Sequence, residues 1–311
     1  MRAQAGPQAG PRVGRQAGPP QAGPPRVGPS RAGRPRARNN ARVLRSVSNA
    51  LKLIIALVVL FPIIWMVLTA LKPSSEVISW PPLLLPRQWE WSNLLKVEQA
   101  GPFLRWYLNS LLIAAATIAG NLVFGVPAAY AFARMRFRGR NIAFILVLGS
   151  LMIPSEVLLI PLFVFLSKLN WVNTYWALIV PFLANGFIIF LLKQFFETIP
   201  PELEEAAVVD GCGPLRILWH VVLPVSRPAL AVSAFFVFIG SWNSYLYPLI
   251  VTSSASMRTV TVGLSLFQSE AGTDWPLLMS AATLIAAPAV IAFLLIEKHL
   301  TDTMAMSGIK G

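Results

Sequence analysis

The run from Ala50 to Leu71, ALKLIIALVVLFPIIWMVLTAL, decides the fold class of this chain. It is uncharged apart from Lys52 and reaches the length, about 20 helical residues, that crosses a bilayer core. Backbone groups at that depth must bond within their own segment, and barrel strands would be shorter and alternating, so such runs predict helices. Five similar runs follow, at about residues 107–133, 141–166, 174–196, 228–251 and 277–296. The sequence therefore predicts an all-α polytopic membrane protein with six transmembrane helices, its membrane domain covering residues 50–300.

The composition agrees with a membrane protein and argues against a nucleic-acid partner. Hydrophobic residues make up 55% of the chain, charged residues 13%, and the mean hydropathy is +0.62. The net charge is +13, but 11 of the 26 basic residues precede Leu53, in a stretch without acids. The remaining chain holds 15 basic and 13 acidic residues, so its charge is only +2. We therefore expect no nucleic acid among the partners.

Few residues are available for metal or redox chemistry. The single cysteine, Cys212, excludes an internal disulfide framework, and the two histidines, His220 and His299, lie far apart in sequence. The chain also lacks a Gly-x-x-x-x-Gly-Lys-[Ser/Thr] phosphate loop. We therefore expect no metal site, no catalytic residue and no cofactor bound by this chain.

Residues 1–49 form a stretch of different composition. The unit Gln-Ala-Gly-Pro occurs four times, beginning at Gln4, Gln8, Gln16 and Gln21. Such Pro/Gly-rich sequence cannot bury a core and predicts a disordered cytoplasmic tail. Its alternatives are a species-specific extension, a downstream translation start, or arginines resting on anionic lipid at about 1 kcal/mol each. Because it lacks the apolar segment of a signal peptide, we expect the first run to remain as an anchor.

The flanks of the apolar runs predict the orientation, since Lys and Arg accumulate on the cytoplasmic side. Basic residues flank the first two runs: Arg42, Arg45 and Lys52, then Arg134, Arg136, Arg138 and Arg140. Six crossings then place both termini, the tail 301–311 and the loop 197–227 in the cytoplasm. The connections 72–106, 167–173 and 252–276 lie outside. The expected location is the cytoplasmic (inner) membrane.

The loop 197–227 has the punctuation of two short helices. Pro201 suits a first helical position, and the acids that follow it favour the positive end of the helix dipole. Gly211 suits the left-handed residue after a helix, and Pro214 can begin the next one. Ala206 and Ala207 would offer a low-profile face beside the charge of Glu205. On these signals alone, an ordinary capped amphipathic helix is the favoured interpretation of the loop.

A spacing pattern in this loop points to a family. Glu205-Ala206-Ala207, then Gly211, then Val221-Val222-Leu223-Pro224 resembles the EAA loop of binding-protein-dependent ATP-binding-cassette (ABC) importer permeases. The family commonly has Ala-Ser at Cys212-Gly213 and Ile at Val221. Further islands resemble the carbohydrate branch, specifically the second permease of maltose-type systems: Asn109-Ser110-Leu111, 128–134, 152–154, 160–162, 190–196, Trp242-Asn243, 247–249 and 307–311.

The resemblance implies partners and site residues. The partners would be a second homologous permease, two ATPase subunits that bind ATP and Mg, and an extracytoplasmic solute-binding protein that delivers a sugar. The residues coupled to the ATPases would be Glu205, Ala206, Ala207, Asp210, Gly211, Leu223 and Pro224. The C-terminal residues Ser307, Gly308, Lys310 and Gly311 would also contact the ATPases, the alternative being a frayed terminus.

Candidates for the solute pathway lie in the third and fifth runs. Glu156 is a charge inside a run that Pro154 and Pro161 are expected to break, either facing a polar cavity or hydrated near the outer surface. Trp242, Asn243 and Tyr245, with Tyr247, combine aromatic faces with polar groups that suit a sugar ring. Their alternative role is that of interfacial aromatics. The loop 252–276, with Arg258, Glu270, Asp274 and Trp275, would face the solute-binding protein.

Two other classes remain as alternatives. An ion-coupled secondary transporter is also a helical bundle with broken helices, but it usually requires buried carboxylates or histidines, of which Glu156 is the clear instance here. An intramembrane enzyme would need a His-Glu-x-x-His, a Gly-x-Ser-x-Gly or paired aspartates in the runs, and the sequence has none. We therefore expect a transporter subunit.

Overall fold

The computed structural model describes Gly23, residues 35–269 and residues 272–307. The predictions for most of the tail before Pro35, for Glu270, and for Gly308, Lys310 and Gly311 lie outside these residues. The chain divides into two compact units, one ending at Val59 and one beginning at Leu60.

The first helix corrects the predicted boundary of the tail. Helix α1 covers Pro35–Ala70, so residues 35–49 are helical rather than irregular. Between Arg36 and Phe61 the sequence contains no Gly or Pro, which lets the helix extend upstream of the apolar run. Pro35 itself suits the first helical position, where a missing N–H is harmless. The apolar candidate span within this helix is Val47–Ala70.

The connection after α1 holds two single-turn helices and precedes a long second span. These are α2 (Ser74–Val77), α3 (Asn93–Lys96) and a 3-10 turn at Val97–Gln99. The second span comprises α4 (Phe103–Gly120), a π-helical turn (Asn121–Gly125) and α5 (Val126–Arg134). Together they form a candidate span over Phe103–Arg134, slightly longer than predicted.

The third predicted span is two helices at a sharp angle. Helices α6 (Arg140–Leu151) and α7 (Ser155–Lys168) are bent by 101° at the break before Ser155. The break predicted near Pro154 is therefore present, whereas Pro161 lies inside α7. The fourth span follows as α8 (Tyr175–Ile179), a 3-10 turn (Val180–Phe182) and α9 (Gly186–Thr198).

Short helices then lead into an interrupted fifth span. They are α10 (Glu202–Val209), α11 (Pro214–Ile217), a π-helical turn (Leu218–Val222) and α12 (Leu223–Val225). The segment Pro214–Val225 meets α13 (Arg227–Trp242) at 84°. The predicted span 228–251 is broken after Trp242, since α14 (Leu246–Val251) is a separate helix.

The last part of the chain ends in a long helix. Before it lie a 3-10 turn (Ala255–Met257), α15 (Val260–Leu264), a 3-10 turn (Ser265–Phe267) and two antiparallel two-residue strands, β1 (Gln268–Ser269) and β2 (Gly272–Thr273). Helix α16 covers Trp275–Ser307, so the segment 301–307, predicted as part of a tail, is helical.

The described helices fit the predicted class. By length and composition, four can cross a membrane, and the number rises to six when each bent pair counts as one span. Many of their apolar side chains are exposed, such as Val123 at 62% and Leu295 at 73%, as expected where the solvent is lipid. The all-α polytopic class is confirmed, with the predicted break in the third span and a second bend, before α13, that the sequence did not predict.

Candidate functional site

The loop predicted to hold two helices does so. The carbonyl of Pro201 accepts from the N–H groups of Glu204 and Glu205, each at 3.0 Å, so Pro201 caps α10 rather than beginning it. At the other end, Gly211 adopts φ +79°, and its N–H donates to Val208 O at 2.9 Å. The N–H of Cys212 reaches back to Ala207 O at 2.9 Å. This is the Schellman pattern, in which a left-handed residue closes the helix end.

The two faces of α10 differ, and one predicted contact residue lies on the inner face. Glu205 and Ala206 are exposed, as are Asp210 and Pro224, while Leu223 is half-buried. Ala207 is only 8% exposed and packs in a core cluster with residues of α5, α9, α11 and α13. Ala207 therefore fits close helix packing within this chain, and the predicted low-profile outer face loses that residue.

Exposed apolar side chains follow Glu205 along the loop. Val209 is 87% exposed, Leu215 69% and Trp219 65%, although all three lie on helical turns of the same loop. A soluble helix pair would normally bury such side chains, and contiguous apolar exposure marks an interaction surface. The loop thus presents exposed apolar groups together with the carboxylates of Glu202, Glu205 and Asp210.

The inner face of α10 holds a charged contact that the sequence analysis missed. We call it the Arg134 cluster: Tyr130, Arg134 and Glu204, with the carbonyls of Phe196 and Ile199. Arg134 Nε lies 2.8 Å from Glu204 Oε1, an ionic contact without the alignment of an N–H···O hydrogen bond. Tyr130 donates its hydroxyl to Glu204 Oε2 at 3.0 Å. Arg134 Nη2 donates to Phe196 O at 2.8 Å and also to Ile199 O.

A second arrangement, built on a neutral side chain, holds the start of the second span, and one of its carbonyls, Ser256 O, also accepts from Arg105 Nε at 3.0 Å. We call it the Asn109 anchor: Asn109, Tyr175 and the carbonyls of Ser256 and Arg258. Asn109 Nδ2 donates to both carbonyls at 2.9 Å, and Tyr175 donates its hydroxyl to Asn109 Oδ1 at 2.7 Å. Asn109 is 3% exposed. The anchor fixes the 252–259 segment against α4.

A cavity of about 720 Å³ lies among the second to fifth spans. Glu156 is the one charged side chain among its lining residues, and Ser155 donates its hydroxyl to Glu156 Oε1 at 3.0 Å. The neutral polar lining residues are Ser110, Thr117, Asn121, Ser155, Asn185, Ser241, Ser244, Tyr245, Tyr247 and Thr259. The cavity can therefore hydrogen-bond a hydroxyl-rich solute, and most of these residues were not predicted.

Asn121 shows why sequence reasoning missed the lining. It sits on the π-helical turn, where its amide donates to Thr117 O and Phe182 O at 2.9 and 2.8 Å. Its Oδ1 accepts from the N–H of Asn185 at 2.8 Å, at the break before α9. An Asn in a predicted helix gives no signal of such a turn, so only the fold brings these residues together.

The predicted pathway residues divide in the structure. Glu156 and Tyr245 line the cavity, as does Tyr247. Trp242 does not: it is 1% exposed, donates Nε1–H to Ile285 O at 3.0 Å and stacks on Phe238. Asn243 is exposed but is not among the lining residues. The burial of Trp242 at the end of α13 corrects the prediction for that residue, whereas solute contact by Asn243, which follows α13, stays a prediction.

The segment after the first span is organised around a buried lysine. Lys72 is 2% exposed; its ammonium donates to Leu83 O at 2.5 Å and lies 4.6 Å from the centre of the Trp65 ring. Burial lowers the pKa of Lys72, while the charge of Glu76 acts in the opposite direction.

Among the described residues, no group of three or more His, Cys, Asp or Glu could hold a metal ion.

Comparison with known proteins identifies the family. The model of the family described as "Binding-protein-dependent transport system inner membrane component" matches residues 121–305. The probable ABC transporter permease protein YurM of Bacillus subtilis is 34% identical over 255 residues, covering 81% of this chain and 84% of the relative. The sn-glycerol-3-phosphate transport system permease protein UgpE of Yersinia pestis is 36% identical over 267 residues, covering 83% and 95%.

Further similarity covers an oligosaccharide permease and a solved transporter. The arabinooligosaccharides transport system permease protein AraQ of Halalkalibacterium halodurans is 33% identical over 260 residues, covering 83% of this chain and 93% of the relative. The crystal structure of a bacterial ABC transporter involved in the import of the acidic polysaccharide alginate contains a chain with a TM-score of 0.74 and 25% identity. That match covers 83% of this chain and 97% of that one.

These matches cover the EAA loop, the broken spans and the cavity, and they exclude the ion-coupled alternative. The protein is a transport permease with multiple spans in the inner membrane. The chain belongs to the binding-protein-dependent transport system inner membrane component family, as a permease subunit of an ABC importer.

Proposed function

We propose that this chain forms half of a translocation pathway for a sugar, together with a second homologous permease, and that two ATPase subunits drive it through the EAA loop. The observation that carries the proposal is the exposed Glu205 on a Schellman-closed helix whose opposite face is fixed to the bundle. ATP and Mg would bind to the ATPases, and this chain would bind no cofactor. An extracytoplasmic solute-binding protein would deliver the cargo.

The exposed face of the loop suits a mechanical contact. Glu205 would pair with a basic residue of an ATPase, and the apolar groups of Val209, Leu215 and Trp219 would be buried by the same partner. Gly211 would permit the sharp turn between α10 and α11, with Asp210, Leu223 and Pro224 completing the contact. ATP-driven closure of the ATPases would then move the loop as a unit.

The cargo is inferred from the cavity and the relatives. Two of the relatives named above serve sn-glycerol-3-phosphate and arabinooligosaccharides, and the solved transporter imports alginate. Each of these solutes carries two or more hydroxyl groups. The cavity offers amide, hydroxyl and phenol groups of matching chemistry. Glu156 and Tyr245 would contact the solute, and the 252–276 connection would face the solute-binding protein.

The orientation follows from the positive flanks of the spans. With Arg134, Arg136, Arg138 and Arg140 on the cytoplasmic side, both termini and the EAA loop would lie in the cytoplasm. The C-terminal residues Ser307, Gly308, Lys310 and Gly311 would then be available to the ATPases. Deleting the last six residues should lower the coupling of ATP hydrolysis to transport, and unchanged coupling would exclude this contact.

Affinity purification in mild detergent tests the proposal. The wild-type chain should copurify with an ATPase and a second permease. Glu205→Gln should release the ATPase while leaving membrane insertion normal, because only the docking charge is removed. Glu202→Gln, on the same first turn, is the matched control and should retain it. A folded wild-type chain that brings down neither partner would exclude the importer assembly.

A further inference from the structure

The Arg134 cluster joins three helices through one side chain. Arg134 is the last residue of α5, and its guanidinium contacts Glu204 on α10 as well as the carbonyls of Phe196 and Ile199 at the end of α9. The last carbonyls of a helix have no partner within the helix and require one from elsewhere. Arg134 supplies those donors and a counter-charge for Glu204 at the same time.

The burial of the cluster makes this contact different from a surface ion pair. The side chains of Arg134 and Glu204 are 19% and 14% exposed. Tyr130, 5% exposed, packs edge-on against the Phe196 ring at 6.4 Å and gives its hydroxyl to Glu204. Glu204 is therefore held from two directions, and its two oxygens have different partners. A neutral side chain at this position cannot reproduce both contacts.

Glu204 and Glu205 are neighbours in sequence with opposite surroundings. Glu205 is exposed, whereas Glu204 points into the bundle and is bound by α5. Helix α10 thus has an outer carboxylate available to a partner and an inner carboxylate already paired.

We infer that the Arg134 cluster is the link that transmits movement of the EAA loop to the second and fourth spans, with Glu204, Tyr130 and Arg134 as positioning residues. This inference rests on the proposed function, because it assumes that an ATPase moves α10. The ion pair and the two carbonyl contacts tie α10 to the ends of α5 and α9. Such a contact is the kind of element through which two sites are coupled.

The test separates transmission from docking. The assembled importer is reconstituted in liposomes with its solute-binding protein, and solute uptake is divided by ATP hydrolysed. Glu204→Gln removes the charge but keeps the size of the side chain, and Glu202→Gln is the exposed control on the same helix. We expect Glu204→Gln to keep the ATPases bound and to lower uptake per ATP by roughly two- to thirtyfold. Glu202→Gln should match wild type.

Two milder variants cover the case in which Glu204→Gln does not fold. Tyr130→Phe removes a single hydroxyl, and Glu204→Asp keeps the carboxylate on a shorter stem. Both should lower uptake per ATP in the same direction but by a smaller factor. A residue with only a structural role would reduce assembly, hydrolysis and uptake together, leaving the ratio unchanged.

The outcomes are distinct. Wild-type uptake per ATP in Glu204→Gln, or in both milder variants when that one does not fold, would overturn the inference. So would loss of the ATPases from these variants with an unchanged ratio, since the cluster would then act on docking. If the wild-type chain itself binds no ATPase, the proposed function fails first.

Discussion

The second span contacts distant segments near both of its ends, through the Asn109 anchor and the Arg134 cluster, and these two sets of contacts use different chemistry. Each has one side chain that donates to two backbone carbonyls of a distant segment and contacts a third group. Asn109 is neutral and 3% exposed, whereas Arg134 is an ion with a side chain 19% exposed. The geometry is alike, but the charge is not.

The difference indicates what each end does. A neutral amide can be buried with its hydrogen bonds satisfied, and the strength of those hydrogen bonds changes little with salt or with nearby charges. An ion pair at a partly exposed site responds to both. The Asn109 anchor therefore suits a fixed frame for the 252–259 segment, and the Arg134 cluster suits a place where a charged partner binds on the other face of α10.

The largest effect on stability should come from breaking the Arg134 cluster. Arg134→Gln removes the counter-charge of Glu204 and the guanidinium donors to the carbonyls of Phe196 and Ile199, and we expect the free energy of unfolding in detergent to fall by roughly 3 kcal/mol. That value is at the low end for removing one partner of a buried pair, because both side chains keep some exposure. Arg136→Gln, an exposed neighbour, should change it by less than about 0.5 kcal/mol. Equal losses would contradict the comparison.

Breaking the Asn109 anchor should have a smaller effect on stability, and this effect should not depend on salt. Asn109→Ala removes the Asn109 donors to two carbonyls and the acceptor of the Tyr175 hydroxyl, while Arg105 still donates to Ser256 O, and we expect a loss of about 2 kcal/mol in unfolding free energy. The exposed Asn141→Ala serves as control. The unfolding measurement is then repeated in 1 M salt, where the screening length is about 3 Å. The loss of unfolding free energy in Arg134→Gln should shrink, while the loss in Asn109→Ala should stay the same. If both shrink alike, charge does not distinguish the two ends.

The sequence predicted the helix pair of the EAA loop well because its ends depend on local chemistry. Gly211 can take positive φ, Pro214 begins a helix, and acids follow Pro201, so each signal lies within a few residues of what it determines. The apolar runs were equally local, and all six predicted positions hold helical segments. Length and polarity were sufficient for the class.

What the sequence did not predict depends on contacts between distant segments. Glu204 differs from Glu205 only through Arg134, 70 residues earlier, and adjacent acids on a helix carry no sign of which one faces inward. Trp242 combined aromatic and polar character, yet the packing of α13 against α16 places it against Ile285 O instead of the cavity. Asn121 and Asn185 meet across a π-helical turn. These residues became visible only in three dimensions.

Two glycines with positive φ separate the effect of backbone strain from the effect of ATPase docking. Gly211 and Gly139 have φ of +79° and +82°, and an added Cβ would meet no atom within 4 Å at either position. Alanine should therefore cost each about 1 kcal/mol through backbone strain alone. Only Gly211→Ala should also lower copurification of the ATPase, because Gly139 lies in the α5–α6 turn and not in the EAA loop. Thermal unfolding and copurification measured on the same preparations separate the two effects.

The smallest effect is expected in the cavity, where no single group dominates. Glu156→Gln keeps the size of the side chain and replaces one charge with an amide, so we expect solute uptake to fall by no more than about fivefold, which corresponds to about 1 kcal/mol for one hydrogen bond. Tyr245→Phe should have a similar effect, and Asn243→Ala, outside the lining, should show wild-type uptake. Wild-type rates in Glu156→Gln would remove it from the pathway. An uptake loss larger than that of Glu204→Gln would reverse the order and make the cavity, not the Arg134 cluster, the more sensitive part of the chain.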